Sequence, residues 1–475
     1  MRFIGRTKEL DTLDQLLKKK SASFVVIRGR RRIGKSRLIQ EFCKGKQTLL
    51  FSGLAPVSGI TKQRQIDAFA KQLCYNFGMP KLSVDDWSDL FWHLGNQCKT
   101  GEWVVVLDEI SWMGSKDPDF LGHLKNIWDL HFSKNEKLIL IVCGSVSSWI
   151  DKNILSSTGF LGRISIDMVL KELTIAESGR FWGKYSKNIS AIEKFKFLSV
   201  TGGVPKYLEE MIPGNSAESN ITSLCFHSNG LLYREFNQIF SDLFFTKMQI
   251  YKSIVKVLGE GEHSLDQLAI KLEVAKGGSL SAMLQELILA GFVSEDATWS
   301  IKTGVVSKLK NFRLCDNYLR FYVKYIEPNR AKIEKGLFSS KSLANLPGWE
   351  AIMGLQFENL VLNNLSVLCP YLGIEKEDII MAGPFFQRAT KRFRGCQIDC
   401  LIQTRFSTLY LCEIKFLKNR VNKEIIQEVE QKIDRLSIPR GFSIRPVLIH
   451  VNGVMPSVIE EGFFSTIVDF SELFN

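Results

Sequence analysis

The sequence predicts a multidomain α/β protein, and three patterns along its 475 residues carry that prediction. Residues 23–28 form a strand-like apolar run that leads directly into Gly29-Arg30-Arg31-Arg32-Ile33-Gly34-Lys35-Ser36, the G-x-x-x-x-G-K-S spacing of a loop that wraps phosphates. Residues 103–109 are a second unbroken apolar run ending in Asp108 and Glu109, as a parallel strand covered on both faces requires. Far downstream, residues 397–402 and 409–416 alternate apolar and polar positions on either side of a short turn, the pattern of a β-hairpin. The length leaves room for about three domains of ordinary size.

Composition narrows the class. Hydrophobic residues make up 45% of the chain, and no apolar run approaches the ~18 residues that would span a bilayer. The charged start Met-Arg-Phe-Ile-Gly-Arg-Thr-Lys-Glu-Leu lacks a signal-peptide core, so a soluble cytoplasmic protein is expected, away from membranes. The 10 cysteines include no Cys-x-x-Cys pair and read as reduced core residues. Cys396, Cys400 and Cys412 have no histidine near them in sequence, so a zinc site is not expected. A net charge of +12 suggests an anionic partner, nucleic acid first, although charge alone does not choose between nucleic acid, acidic protein and no partner.

The elements of the first half follow in order. In the phosphate loop, Gly29 and Gly34 let backbone N–H groups close around phosphates, and Lys35 reaches the β and γ oxygens. The Ser36 hydroxyl is a Mg²⁺ ligand, and the loop residues Arg30, Arg31, Arg32 and Ile33, with Arg37 behind them, complete the nucleotide-binding segment. Leu38, Ile39 and Phe42 then form the apolar stripe of a helix facing a sheet. In an open α/β sheet ligands bind at the carboxyl ends of the strands, so Asp108 is placed for the Mg²⁺ shell and Glu109 to orient and deprotonate the attacking water. A further apolar run over residues 137–145 ends in Ser145, placed to hydrogen-bond the γ-phosphate or the water. Strands near 23, 48, 103 and 138, separated by helical stretches, predict a layered sheet with crossovers. The opening Phe3-Ile-Gly5-Arg6 fits a segment that packs against an adenine.

Taken with Cys-Gly-Ser at 143–145 and Phe-Leu-Gly-Arg at 160–163, these motifs resemble those of the archaeal-type ATPases, within the AAA+/STAND group of P-loop proteins. The resemblance implies an ATP-dependent switch or motor using ATP and Mg²⁺, with a helical lid after the sheet. Thr201-Gly-Gly-Val-Pro205 matches the Gly-Gly-x-Pro turn of such lids, which brings Pro205 toward the nucleotide. It also implies that Arg163 reads the γ-phosphate, either in its own subunit or across an ATP-dependent homo-oligomer.

Between residues 246 and 303 the pattern of three helices followed by a two-strand segment predicts a winged helix. Its third helix, near residues 279–288, carries only Glu286 as a charge, with Lys276 just outside. A packing or regulatory role is therefore expected, with Lys302, Lys308 and Lys310 left for weak backbone contacts. Residues 311–325 interleave aromatic and basic side chains, which suits either stacking of single-stranded bases or a docking helix. Residues 327–342 read as a linker.

In the C-terminal hairpin, symmetry about Phe406 sets Asp399 opposite Glu413, and two like charges so paired need a divalent cation or a lysine to neutralise them. Lys415 shares their face, while Ile398, Cys400, Cys412, Ile414 and Phe416 point to the apolar side. Arg388, Lys391, Arg392 and Arg394 before the hairpin and Lys418, Arg420 and Lys423 after it form a cationic rim suited to a polyanion. The arrangement resembles the core of PD-(D/E)xK nucleases, which have a restriction-endonuclease-like α/β fold. That resemblance implies Asp399, Glu413 and Lys415 as catalytic residues, with Glu358, Asp399 and Glu413 holding Mg²⁺. Gln431 and Lys432 on the next helix complete the site. Nucleic acid, DNA ahead of RNA, is the implied partner. The organisation expected is an ATPase core over 1–165, a helical lid over 166–240, a winged helix over 241–325, a linker over 326–345 and a nuclease-like domain over 346–475. The chain then couples an ATPase to a possible Mg²⁺-dependent nuclease; alternatively it is a STAND-type regulator whose hairpin acids are catalytically inactive.

Overall fold

Five aliphatic runs, β1 (Ser23–Arg28), β2 (Thr48–Ser52), β3 (Trp103–Asp108), β4 (Leu138–Gly144) and β5 (Ile164–Val169), pair in parallel into one sheet of order β2-β3-β4-β1-β5. The computed structural model describes residues 3–55, 59–80, 82–114, 116–145, 147–243, 248–389, 391 and 394–474, so Arg392 of the expected cationic rim lies outside them. Alternate residues of each strand serve opposite cores. Phe24, Val26, Val105 and Leu107 join the aromatic cluster of Phe69, Trp87, Phe91 and Phe120 on one side. Val25, Ile27, Val104 and Val106 meet Leu38, Ile39 and Phe42 of helix α1 (Lys35–Cys43) on the other. Burial on both faces is why these strands read as continuous apolar runs. Helix α2 (Phe120–Leu130) covers the aromatic side.

The sheet runs past residue 165, where the sequence had suggested the core would stop. Its edge strand β5, Ile-Ser-Ile-Asp-Met-Val, alternates polar and apolar residues and is only half-buried, so it lacks the continuous apolar signature of the inner strands. The first compact unit comprises Met1–Lys171 with Ile239–Thr246 and Leu289–Gly291.

The second unit comprises Glu172–Gln238, Lys247–Ile288 and Phe292–Asn475. It opens with short helices, one of them begun by a capping box in which Thr174 and Glu177 satisfy each other's backbone N–H groups. The helix Met248–Glu260, the short strand β6 (His263–Ser264), the helices Leu265–Lys271 and Gly278–Leu289, and the hairpin β7 (Val293–Trp299) and β8 (Val306–Leu314) follow, with antiparallel order β6-β8-β7.

The aromatic segment beyond residue 311 packs inward. Phe312, Tyr318, Phe321, Tyr322 and Tyr325 are all buried, and Tyr322 stacks on Phe236 at 4.1 Å between ring centroids. Of the two uses its sequence allowed, this is the docking one. The stretch read as a linker is anchored as well. It forms the helix Arg330–Glu334, buries Ile333, and holds Glu218 through the Ser342 hydroxyl (3.2 Å) and the Leu343 N–H (2.6 Å).

The C-terminal sheet has the order β13-β12-β11-β10-β9, with β9 (Ile379–Gln387), β10 (Cys396–Thr404), β11 (Thr408–Ile414), β12 (Ser443–His450) and β13 (Thr466–Asp469). β9, β10 and β11 pair antiparallel, whereas β11, β12 and β13 pair in parallel. A parallel neighbour needs a crossover, which runs through helix α4 (Glu424–Arg435); helix α3 (Trp349–Asn363) precedes β9. The small three-stranded sheet is fused to this domain. Trp299 and Ile301 belong to the same apolar core as Phe385, Ile398 and Leu401, and Gln403 bridges the Trp299 indole (2.7 Å) and the Ile301 carbonyl (2.8 Å). Among the described residues, no helix is long and apolar enough to cross a membrane.

Candidate nucleotide and carboxylate sites

The phosphate loop joins β1 to α1 through backbone conformations that favour glycine. Gly29 has φ 150° and Gly34 has φ 93°, and a Cβ on Gly29 would stand 2.6 Å from the Leu170 carbonyl oxygen. Arg32 also takes a left-handed φ of 69°. Ile33 is fully buried and Arg30 is 5% exposed, while Arg31 and Arg37 flank them on the loop and the first turn of α1. Lys35 is buried, and its ammonium donates to the carbonyls of Gly29 (2.8 Å) and Arg30 (3.1 Å). Burial lowers its pKa, opposed by the negative charge of Glu109 and Asp108.

Arg6 works as a brace. It adopts a left-handed φ of 61° directly after Gly5, is 4% exposed, and donates to the carbonyls of Ile33 (3.0 Å) and Lys171 (2.5 Å). One side chain thus ties the phosphate loop to the chain leaving β5. The sequence had assigned this segment to the adenine.

At the carboxyl ends of β3 and β4 the acids are held by their neighbours. The Ser36 hydroxyl donates to Asp108 Oδ2 at 3.1 Å, and the Cys143 thiol to Asp108 Oδ1 at 2.7 Å. Glu109 sits at a strained φ of 52° and accepts from both the backbone N–H (3.1 Å) and the hydroxyl (3.0 Å) of Ser145. Burial raises the Glu109 pKa, partly offset by Lys35. Ser145, expected to face phosphate or water, instead orients the carboxylate. That contact and the Cys143 thiol escape a linear reading because β3 and β4 become neighbours only in the sheet. Ser36 and Asp108 fit a divalent cation in donor type and mutual distance.

Arg163 lies against Asp129 at the end of α2, with Nε to Oδ1 at 2.7 Å and the terminal nitrogen to Oδ2 at 2.9 Å. This bidentate pair, helped by Lys125, takes the Asp129 carboxyl down to about 2. Arg28, unmarked in the sequence, makes a similar fork on Asp167 at 3.0 and 2.8 Å. Pro205 opens the helix Pro205–Glu209 in the second unit, a position its fixed φ suits.

In the C-terminal sheet the hairpin register is symmetric about Phe406, with Cys400 opposite Cys412 and Gln403 opposite Leu409. Asp399 and Glu413 follow on at the next position. The Lys432 ammonium, from α4, lies against both: 3.3 Å from Asp399 Oδ1 and 2.5 Å from Glu413 Oε2. Asp399 Oδ2 also accepts the Ile414 N–H at 2.9 Å. Lys415 meets Glu413 at 3.1 Å and Glu428 at 2.9 Å. Burial raises the Glu413 pKa, with Asp399 adding to the effect. Burial would lower Lys432, but Asp399 and Glu413 reverse this and raise it.

Glu358 on α3 is pushed up to about 7, mainly by burial and then by Asp399, against Arg313 and Arg320. Both arginines are part of a buried polar network. Arg313 forks Asp296 at 2.7 Å and reaches Asn359, while Arg320 donates to Gln356 at 3.0 Å. The sequence offered a divalent cation or a lysine as the neutraliser of the acid pair, and the structure holds a lysine. Among the described residues no three acidic, histidine or cysteine side chains form a group able to hold a metal ion. Lys432 stands against both carboxylates, where the sequence reading places Mg²⁺. The expected set of Glu358, Asp399 and Glu413 differs because Lys432 reaches the pair from the crossover helix.

Known proteins resemble this chain in sequence and in fold. Residues 3–211 match the family described as an ATPase domain predominantly from Archaea. An uncharacterised protein of Methanocaldococcus jannaschii is 25% identical over 365 residues, covering 75% of this chain and 76% of that protein. Among solved structures, a Walker-type ATPase of Pyrococcus abyssi superposes with TM-score 0.47 at 17% identity, covering 68% of this chain and 96% of its own. The Aeropyrum pernix ORC2 protein gives 0.40 at 15%, covering 70% and 95%. Residues 3–211, which include the phosphate loop, Asp108 and Glu109, are thus similar to an ATPase domain found predominantly in Archaea.

Proposed function

We propose that this protein is an ATP-dependent molecular switch whose front domain binds and hydrolyses ATP and whose C-terminal, nuclease-like domain holds nucleic acid. The 3.1 Å contact between the Ser36 hydroxyl and Asp108 carries the first half. It sets the two side chains that share Mg²⁺ in P-loop enzymes side by side at the end of the sheet. Mg²⁺, when bound, supplies neutralising charge to the phosphates. Lys35 then exchanges its loop carbonyls for phosphate oxygens, and Glu109, fixed by Ser145, orients the attacking water and accepts its proton. A raised pKa brings that carboxyl closer to the range of an efficient general base.

ATP hydrolysis by the full chain tests this. Turnover vanishes in Lys35→Ala and Glu109→Gln, while nucleotide binding survives in Glu109→Gln; turnover persisting in both variants would exclude the assignment. Arg163 is proposed as the γ-phosphate reader, released from Asp129 when ATP binds. Native mass with and without ATP tests whether it reaches a neighbouring copy.

For the rear domain, Lys432 favours the reading in which the nuclease-like fold does not cut. The helices and hairpin over 248–314 are read as a winged helix used for packing, since Trp299 and Ile301 are spent in the C-terminal core. Incubation with supercoiled, linear and single-stranded DNA under Mg²⁺ or Mn²⁺ is expected to leave every substrate intact. Cutting that disappears in Asp399→Ala and Lys415→Ala would restore the nuclease.

A further inference from the structure

Beside the acid pair lies a cavity of about 460 Å³, lined by Phe386, Gln387, Cys396, Gln397, Lys432 and Arg435 among others. Its floor is the end of the β9–β10 ladder, where Cys396 pairs with Gln387 and Gln397 with Phe386. Its wall is the last turn of α4, where Lys432 and Arg435, three residues apart, share a face. Gln387 ties floor to wall: its amide donates to the Arg394 (2.8 Å) and Arg435 (2.9 Å) carbonyls and accepts the Ser437 N–H (2.9 Å). The Cys396 thiol donates to the Lys432 carbonyl at 3.3 Å, pinning the helix at that residue. The cavity is thus built by side-chain bonds, and among the described residues no acid lines it.

Gln397, which lines the pocket, lies two residues before Asp399 on β10. Lys432 belongs to both: its ammonium is held by Asp399 and Glu413 while its side chain borders the cavity.

We propose that this pocket receives one nucleotide of a single-stranded nucleic acid, with the phosphate on Arg435 and Lys432 and the base against Phe386 and Gln397. Asp399 and Glu413 then act as positioning residues that aim Lys432, so that binding needs no metal. The exposed Arg435 suits a backbone phosphate, Lys432 adds a donor held in place by its two acids, and Phe386 at the same opening suits the face of any base. The inference rests on the reading that the rear domain holds nucleic acid and adds the strand type, the pocket and the reason the acids are there.

The test is fluorescence anisotropy of a labelled oligothymidylate with the full chain in EDTA, over a range of salt. Arg435→Gln is expected to weaken binding about tenfold and to flatten the dependence of log Kd on log salt by about one unit, the mark of a lost phosphate contact. Phe386→Leu is expected to weaken it about fivefold or more without changing that slope, since base stacking is insensitive to salt. Both keep the wild-type Tm; Arg435 is exposed and Leu keeps Phe386 apolar. Undiminished binding in both variants overturns the pocket while leaving a nucleic-acid domain in place. Failure of the wild-type chain to bind single or double strands overturns the domain reading as well. Binding that appears only with Mn²⁺ overturns the positioning role given to Asp399 and Glu413.

Discussion

The two charged sites are built in opposite ways. The front one takes the groups proposed to face phosphate from a single continuous stretch, Gly29 to Ser36, whose shape is set by left-handed backbone and braced by Arg6. The rear one gathers Glu358, Asp399, Glu413 with Lys415, and Lys432 from α3, β10, the end of β11 and α4. At the front, the lysine is tied to carbonyl oxygens that an arriving phosphate readily replaces. At the rear, Lys432 is tied to two carboxylates, one of them only 1% exposed, and only another cation could take its place there. Both sites contain lysine and acid, yet the first is poised to exchange partners and the second is internally neutralised.

The largest expected effect lies at the front. Lys35→Ala should lower ATP turnover by about 100-fold or more, because it removes the charge aimed at the transferring phosphate. A comparable loss from Lys432→Met would break the contrast by making the rear lysine part of the ATPase. Next comes Arg6→Met. It leaves the Ile33 and Lys171 carbonyls without their buried donor and should cost about 2 to 3 kcal/mol in chemical denaturation. An unchanged midpoint would deprive the loop of its proposed brace.

At the rear, Lys432→Met should cost about 2 kcal/mol, since Glu413 stays buried beside Asp399 with, among the described residues, Lys415 as its remaining ion-pair partner. Adding Glu413→Gln should recover part of that loss. A double variant no better than the sum of the singles would show that the pair and the lysine are not coupled.

The smallest effect concerns Asp129. Its carboxyl lies at about 2 in the folded chain, mainly through Arg163, against 3.8 when unperturbed. A depressed carboxyl stabilises the fold above the unperturbed value, and that contribution is lost as pH falls from 3.8 toward 2. Because the pair is only part-buried and screened by solvent, Arg163→Ala should lower stability only slightly at neutral pH. The difference between variant and wild type should shrink as the acid limb of a pH titration of stability is descended.

What the sequence made legible follows the same division. The phosphate loop, Asp108 and Glu109 are local patterns whose spacing alone implies their chemistry. The hairpin register was equally readable, because side-chain alternation and the central Phe406 fix which residues face each other. Contacts arising only when distant segments become neighbours stayed hidden: Ser145 on Glu109, Cys143 on Asp108, Arg313 on Asn359. Lys432 was visible as a residue near the site, but its reach to both acids depends on how the crossover helix lies over β10 and β11. The edge strand β5 was missed for a different reason: half-exposed, it alternates where its neighbours are wholly apolar.

The most direct test of the account is to measure ATP binding and ATP turnover side by side in Glu109→Gln. The account predicts nucleotide affinity close to that of the unaltered protein, with turnover reduced by about 100-fold or more as the oriented base is lost. Turnover that continues at the original rate would contradict it.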